Sequence, residues 1–303
     1  MTLPKLSPLL LGCLAGVLTA CIGASWQIVS RSAALTPLGP LELAVLRYAL
    51  PALILLPVLW PVGLKPAGVS WGVLFVLVCS SGLPFGLMAF WGTRFAPSAH
   101  MGVMMAATGP LMTAGLLWLV ERRRITHWQA LGLAAIAASV LLLASGSLHS
   151  TSSTWRGDAL FLLAALMWSG FGLAFRRSGL TAWQAVAVVN AWSALAVLAL
   201  AWVVGVPGFA QIDGRMLALQ ALWQGVMAGV LGLVSYTAAV RLLGAQAAAA
   251  FGALVPVLAA WGGWWILHEP LTVHVLIASS LATVGVGLAV GWSGFNNENL
   301  KKK

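Results

Sequence analysis

The chain has 303 residues, of which 61% are hydrophobic and only 7% are charged, and its mean hydropathy is +0.97. A soluble protein carries about a quarter charged residues, so this composition excludes a water-exposed exterior and indicates a lipid environment. The net charge of +10 does not indicate nucleic-acid binding, because the basic residues are scattered between apolar runs and a phosphate-binding face needs them clustered. The lipid bilayer is the expected partner, and anionic headgroups explain the basic excess.

Long apolar stretches divide the chain into candidate membrane-spanning helices, each of which needs about 20 mostly apolar residues. The stretches are continuous rather than alternating, which favours helices over a barrel. A cleaved signal peptide after Lys5 is not favoured, because the repeat described next needs the first stretch. The sequence therefore predicts an all-α membrane protein with ten transmembrane helices, at approximately 6–29, 41–61, 70–92, 97–120, 127–145, 157–175, 181–204, 216–239, 245–267 and 271–292.

The two halves of the chain correspond when one is shifted by 146 residues. Residues 6–145 and 157–292 are predicted to be two repeats of five helices, joined by a polar linker at 146–156. Because five is odd, the second repeat enters the membrane from the opposite side, which makes the pair an inverted repeat. Residues 293–303 are interpreted as a solvated tail or an expression remnant. The shift places Pro110 on Pro256, Thr126 on Thr272, Phe90 on Tyr236 and His100 on Gln246.

Basic residues are unequally divided between the two faces that alternate loops define. Outside the tail, the face that carries the N-terminus has eight and the opposite face has five. The positive-inside rule then predicts a bacterial-type inner membrane protein with both termini in the cytoplasm. The eight are Lys5, Lys65, Arg122, Arg123, Arg124, Arg176, Arg177 and Arg241, and the five are Arg31, Arg47, Arg94, Arg156 and Arg215.

Several short motifs, taken in their order along the chain, resemble the EamA family of the drug/metabolite transporter superfamily. They are Leu41–Arg47 and Gly109–Leu111 in the first half, and Tyr236, the Ala-rich run 245–250, Leu254–Val257, Glu269–Thr272 and Gly285–Gly287 in the second. The first half departs from the family pattern where Arg123 stands in the register of the usual Glu, which weakens any essential role for that Glu. Within the family the chain resembles YddG-type exporters of aromatic amino acids. The resemblance implies export of small metabolites, with aromatic or apolar amino acids favoured, by alternating access.

The segment Gly82-Leu83-Pro84-Phe85-Gly86 marks the first candidate part of a substrate pathway. Pro and Gly together loosen a helix near its centre, and such interruptions are typical of transporter sites. Ser80, Ser81, Pro84 and Phe85 are therefore predicted to line a cavity.

Further candidates lie on the sixth, fourth, eighth and ninth predicted helices. Trp168, beside Ser169 near the middle of the membrane, is interpreted as either a substrate contact or a packing residue. His100, Tyr236 and Gln246 are predicted pathway residues, although interfacial solvation also explains His100 and Gln246. Pro110 and Pro256 each remove one backbone hydrogen bond near the middle of a helix and are predicted hinges.

Two matches to catalytic motifs do not hold. His268 and His274 flank Glu269, but they lie six residues apart with Pro270 between them, which does not fit HExxH zinc binding. Ser293 in Gly-Trp-Ser-Gly has no later helix to supply a base. No enzyme activity, metal or cofactor is expected; a broad-specificity drug or metabolite carrier of the same fold is the alternative, with a membrane enzyme or a scaffold less favoured.

The acidic residues bear on energy coupling. None is placed near the middle of the membrane: Glu42, Glu121, Asp158, Asp213, Glu269 and Glu298. Because proton-coupled carriers usually keep a carboxylate within the membrane, the sequence predicts facilitated flux of a neutral or zwitterionic substrate without a buried acid. Arg47 is positioned to attract a substrate carboxylate, but pairing with Glu42 is the favoured interpretation.

Overall fold

The structure is a computed structural model that describes residues 7–122, 124–149, 153–243, 248 and 250–300, without the side chains of residues 149 and 291–300. Arg123, Gln246 and part of the predicted linker lie outside the described residues. Within them all regular structure is helical, which confirms the predicted class. In chain order the helices are α1 (Pro8–Ala34), α2 (Pro40–Ile54), α3 (Leu56–Val62), α4 (Trp71–Ser81), α5 (Leu83–Phe95), α6 (Ser98–Met101), α7 (Gly109–Glu121), α8 (His127–His149), α9 (Thr154–Ser178), α10 (Ala182–Val204), α11 (Gly214–Gln220), α12 (Leu233–Leu243), α13 (Leu254–Leu267) and α14 (Val273–Leu300).

Eight helical segments of the described chain are long and apolar enough to cross a membrane. The pair α2 and α3, bent by 69°, supplies a ninth if it is taken as one span, and residues Phe251–Leu267 form a shorter apolar helix. The number ten therefore remains a prediction. The eight are Pro8–Ala34, Trp71–Phe95, Ser98–Glu121, His127–Leu148, Thr154–Ser178, Ala182–Val204, Gly214–Leu243 and Val273–Val290.

Several spans are interrupted at points that the sequence explains. The predicted loosening of the third span appears as a break at Gly82, between α4 and α5. The break frees the backbone N–H of Leu83, which donates to Ser193 Oγ at 3.1 Å, while the Tyr48 hydroxyl donates to the Gly82 carbonyl at 2.6 Å. These contacts replace hydrogen bonds that lipid does not supply.

Both predicted hinge prolines follow an irregular turn. A π-helical segment, Gly102–Ala107, comes before Pro110, and a 3-10 turn, Phe251–Ala253, comes before Pro256. Proline has no N–H to donate, so the backbone upstream of it adopts other hydrogen-bonding patterns.

The first helix of each half packs on the corresponding helices of the other half. Helix α1 packs on α12 and α13, and α9 packs on α4, α5 and α7. Helices α8 and α14 pack along their length, where a side chain on Gly132 or Gly285 would collide with the facing backbone. Arg122 and His268, which are 146 residues apart, are the non-glycine residues with positive φ in the described chain, at 52° and 55°.

Candidate substrate pathway

Two cavities meet near the middle of the helical bundle. The larger has a volume of about 320 Å³ and the smaller about 190 Å³. Four residues line both of them, which places the two end to end: Ala106, Trp168, Tyr236 and Gly252. Trp168 lies near the middle of α9 and Tyr236 lies inside the span Gly214–Leu243, so the junction is away from both ends of the bundle.

The larger cavity reaches one end of the bundle, which we call the Arg176 face. Its wall includes Pro110 and Ser169 near the junction, and the exposed residues Arg124, Ile125 and Arg176 at the face. The lining is mostly apolar with basic residues near the opening, and this path suits an apolar solute that carries a negative or balanced charge.

The smaller cavity is walled by aromatic rings. Trp26 and Phe85 have ring centroids 6.2 Å apart, Phe85 and Trp168 lie 5.4 Å apart, and Trp168 and Tyr236 lie 6.0 Å apart. All four residues line this cavity. Aromatic pairs at these separations attract one another, and the rings that line the cavity form a surface suited to a planar or branched apolar group.

The opposite end of the bundle, the Glu269 face, carries an ionic network that joins several helices. Arg31 Nε lies 2.9 Å from Glu269 Oε1, and Arg31 Nη1 donates to the Thr93 carbonyl at 2.5 Å. Glu269 Oε2 accepts from the Ser98 backbone N–H at 3.0 Å and from Ser98 Oγ at 2.5 Å. The Arg31–Glu269 network therefore ties α1, α5 and α6 to the residue that follows α13, and charge-assisted bonds of this kind are strong.

A second layer lies between this network and the smaller cavity. Trp26 Nε1 donates to Gln224 Oε1 at 2.7 Å, and Gln224 Nε2 donates to Ser30 Oγ at 3.1 Å and to Gln220 Oε1 at 3.2 Å. Trp26, Ser30, Gln220 and Gln224 are all buried. Buried, hydrogen-bonded side chains therefore lie between the smaller cavity and the Arg31–Glu269 network, while the larger cavity reaches the Arg176 face.

The predicted pathway residues divide into two groups. Phe85, Trp168, Ser169, Tyr236 and Pro110 line one or both cavities. Lining neither are Ser80, Ser81, Pro84, His100 and Pro256, and Gln246 lies outside the described residues.

The break at Gly82 explains why the serines and Phe85 separate. Ser80 lies against Gly170 of α9, and Ser81 Oγ bonds back to the Leu77 carbonyl at 3.4 Å. Pro84 is exposed on the outside of the bundle. Because the chain restarts as a new helix after Gly82, the cavity-facing position comes later, at Phe85.

The expectation that the chain has no buried acid was wrong, and so was the expected pairing of Glu42 with Arg47. Asp158 and Glu42 are buried, at 4% and 5% exposure, although both lie near helix starts. Asp158 Oδ1 is 2.8 Å from His100 Nδ1 and its Oδ2 accepts from Ser147 Oγ at 2.5 Å, so buried acids exist, although they lie outside both cavities.

Glu42 also has partners other than the expected one. Its oxygens accept from the backbone N–H groups of Gly39 and Gly208, each at 3.0 Å, and no Glu42–Arg47 salt bridge forms in the described chain. The short spacing between Glu42 and Arg47 suggested a pair. The carboxylate instead caps its own helix and binds the loop before α11.

Several central residues were not identified from the sequence. Glu269 was discounted because Arg123 stands in the corresponding place of the first half, yet Glu269 makes three hydrogen bonds. Arg31 is far from Glu269 along the chain, and Gln224 is far from Trp26. Nothing in the sequence distinguishes Trp26 from the many other tryptophans. The signal available for Glu269 was its place in the motif Glu269–Thr272, one of those that carry the family resemblance.

Apolar spans surround two connected cavities, one of which reaches the Arg176 face, and this arrangement suits a membrane transport protein. The sequence profile of the EamA-like transporter family matches residues 10–145 and 155–291. The chain belongs to the EamA-like transporter family. None of the curated proteins compared with it matches.

A solved structure described as "Crystal structure of protein" has the same fold. It superposes with a TM-score of 0.63 over 92% of this chain and 95% of that chain, at 20% sequence identity. In the part of this chain that is described, no group of three or more His, Cys, Asp or Glu residues is arranged to hold a metal ion.

Proposed function

We propose that this transporter exports small metabolites by alternating access, with aromatic or apolar amino acids as the favoured cargo. The observation that supports this best is the pair of cavities that meet at Trp168 and Tyr236, one of which reaches the Arg176 face, together with the ionic network at the Glu269 face. A carrier that works by alternating access needs a central site that connects with one side at a time. The aromatic wall of the smaller cavity supports an apolar or aromatic side chain on the cargo.

An inverted repeat would give the transporter a second conformation, one that is open to the Glu269 face. The exchange of partners between α1 and α9 and the matching φ values at Arg122 and His268 support two equivalent halves. If the halves exchange conformations, α7 packs inward and α13 moves outward, which closes the Arg176 face and opens the Glu269 face. Pro110 and Pro256 lie where each of these half-helices begins.

For export, the Arg176 face would be cytoplasmic, together with both termini. The unequal division of basic residues supports this orientation. Single cysteines at positions 123 and 150, in a cysteine-free background, can be tested in intact cells with an impermeant thiol reagent. We expect labelling at 150 and none at 123, and the reverse pattern would overturn the orientation.

We further propose that flux follows the substrate's own gradient. No acidic residue among those that the structure describes lines either cavity, so the described lining offers no carboxylate for a coupling cation. Efflux from liposomes is expected to be the same with and without an imposed pH gradient. Efflux that stops when an uncoupler collapses the pH gradient would contradict this and direct attention to the His100–Asp158 pair.

Counterflow in liposomes tests the cargo directly. Purified protein in vesicles loaded with an unlabelled amino acid should accumulate the same radiolabelled amino acid, with phenylalanine, tryptophan and leucine above serine or lysine. Protein-free vesicles provide the background. No counterflow for any amino acid would exclude the favoured cargo, and counterflow of unrelated drugs at similar rates would instead support a broad-specificity carrier of the same fold.

A further inference from the structure

We infer that Arg47 is the carboxylate-binding residue of the smaller cavity, so that the cargo is an apolar or aromatic molecule that carries a carboxylate. The inference rests on the proposed transport function and names the side chain that recognises the cargo. It replaces the favoured sequence interpretation, in which Arg47 pairs with Glu42.

Arg47 is a buried cation with incomplete bonding. Its side chain lines the smaller cavity and the residue is 8% exposed. Its Nε atom is buried and has no hydrogen-bond partner among the described residues. Its Nη1 atom reaches only the Gln224 carbonyl, at 3.4 Å, which is long for a bond to a charged donor.

No acidic residue of the described chain forms an ion pair with Arg47. The acids whose side chains are described have other partners or lie at the surface: Glu42 binds Gly39 and Gly208, Asp158 contacts His100, Glu269 contacts Arg31, Asp213 caps α11, and Glu121 is exposed. The sixth acid of the sequence, Glu298, lies in the tail, and its side chain is outside the described part of the chain. Among the described residues, the protein therefore places a guanidinium at a cavity without an acidic partner.

An unpaired buried ion is strongly unfavourable in a medium of low dielectric constant. Ionisable residues within membrane spans usually face a cavity and mark a substrate path for this reason. The ring centroids of Trp26 and Tyr48 lie 5.4 and 5.9 Å from the guanidinium carbon, which gives partial compensation through cation–π attraction. Neither ring supplies the paired oxygens that a guanidinium binds best, whereas a carboxylate does.

The other walls of the cavity indicate what the carboxylate is attached to. Trp26, Phe85, Trp168 and Tyr236 form an aromatic lining around the same space. Gln27 is 1% exposed, lines the cavity, and its Oε1 has no partner among the described residues. An amide oxygen accepts a hydrogen bond from an ammonium or hydroxyl group, so a polar substituent beside the carboxylate has a place to bind.

The competing interpretation is that Arg47 only supports the π-helical segment Ala221–Gly232 through the Gln224 carbonyl. A structural role of this kind predicts that the chemistry of the ligand is irrelevant to Arg47. A binding role predicts that ligands differ in affinity according to whether they carry a carboxylate.

Matched ligands separate the two roles. Isothermal titration calorimetry of purified protein in nanodiscs would use 3-phenylpropionate and its primary amide, L-phenylalanine and its carboxamide, and acetate. We expect the wild-type protein to bind each aromatic acid at least tenfold more tightly than its amide. Acetate should bind much more weakly than 3-phenylpropionate, because it lacks a ring.

Two variants test whether Arg47 causes the preference for an acid over its amide. In Arg47→Gln the acid and the amide should bind with similar affinity, and Arg47→Lys should recover part of the preference. Arg94→Gln is the matched control, since Arg94 lines neither cavity and donates to the Leu38 carbonyl at 2.9 Å; it should keep the full preference.

The outcomes are distinguishable from those of the proposed function. Equal binding of acid and amide by the wild-type protein, a preference that survives in Arg47→Gln, or no binding of any of these compounds would overturn the inference. If Arg47→Gln does not fold, the wild-type comparison of acid and amide still decides. If amino acids show counterflow but the protein does not prefer the acid over the amide, the proposed function stands and the role of Arg47 is wrong. If 3-phenylpropionate binds in a way that depends on Arg47 but no amino acid shows counterflow, the role of Arg47 stands and the amino-acid cargo is wrong.

Discussion

Helices α7 and α13 occupy corresponding positions in the two halves but have different surroundings. No residue of α7 is buried, and part of it lines the larger cavity. Helix α13 buries Val255, Pro256, Ala259, Ala260 and Gly263. The comparison indicates that one structural element packs in two ways, and that the buried copy lies at the end of the bundle that carries the Arg31–Glu269 network.

The residues that follow the two helices differ in charge. Glu269 follows α13 and binds Arg31 and Ser98, whereas the corresponding position after α7 is Arg123 in the sequence. An arginine offers no acceptor to a cation or to a backbone N–H. The sequence therefore supplies a means of holding α13 closed that it does not repeat for α7.

Removing the charge of Glu269 should have the largest effect on this difference. In Glu269→Gln the bonds to Arg31 and Ser98 weaken, and because a hydrogen bond to a charged group contributes about 1.5–3 kcal/mol, counterflow should fall by about tenfold or more. Counterflow in liposomes measures it. Glu121→Gln, at an exposed site, is the control, and normal flux in Glu269→Gln would show that the Arg31–Glu269 network does not hold the closed end.

Replacing the prolines tests whether the two half-helices move. Pro110→Ala and Pro256→Ala restore a backbone donor next to the irregular turns, which should favour a continuous helix. We expect each variant to insert normally and to transport severalfold more slowly. Membrane abundance and counterflow together distinguish this from misfolding. If both variants transport at the normal rate, the prolines are packing features only.

Shortening Trp168 should have the smallest effect, because it alters the junction of the cavities and not the position of either half-helix. Trp168 contacts Phe85, Phe171 and Tyr236 through its ring, and aromatic pairs contribute about 0.5–1.5 kcal/mol beyond their buried area. Trp168→Ala should weaken binding of 3-phenylpropionate severalfold in calorimetry. Trp202→Ala, at a residue that is 91% exposed, should not.

Local features of the fold were predictable from the sequence, and distant contacts were not. Continuous apolar runs indicate helices because lipid does not hydrogen-bond the backbone, and Gly82 with Pro84 indicated the break in the third span. The Arg31–Glu269 pair joins residues 238 positions apart, and nothing in one-dimensional spacing relates them.

The residues of the candidate site were likewise predictable where local sequence indicates them, and not where they depend on distant contacts. Phe85 and Trp168 stand near the middle of long apolar runs, where a central cavity is expected, and both line one. Ser80 and Ser81 were misplaced because the new helix after Gly82 changes which side faces inward. The pairing of Glu42 with backbone N–H groups instead of Arg47 depends on the loop at Gly208, which sequence spacing does not reveal.

The rate of thiol labelling at two equivalent positions tests the central claim most directly. Thr113 lines the larger cavity, and Ala259, which is 146 residues further on, is fully buried in α13. In a cysteine-free background, reconstituted Thr113→Cys should react with a small hydrophilic maleimide at least tenfold faster than Ala259→Cys when the reagent has access to both faces. Adding Glu269→Gln should raise the rate at position 259. Equal rates at the two positions, or faster reaction at 259 with Glu269 intact, would contradict the account.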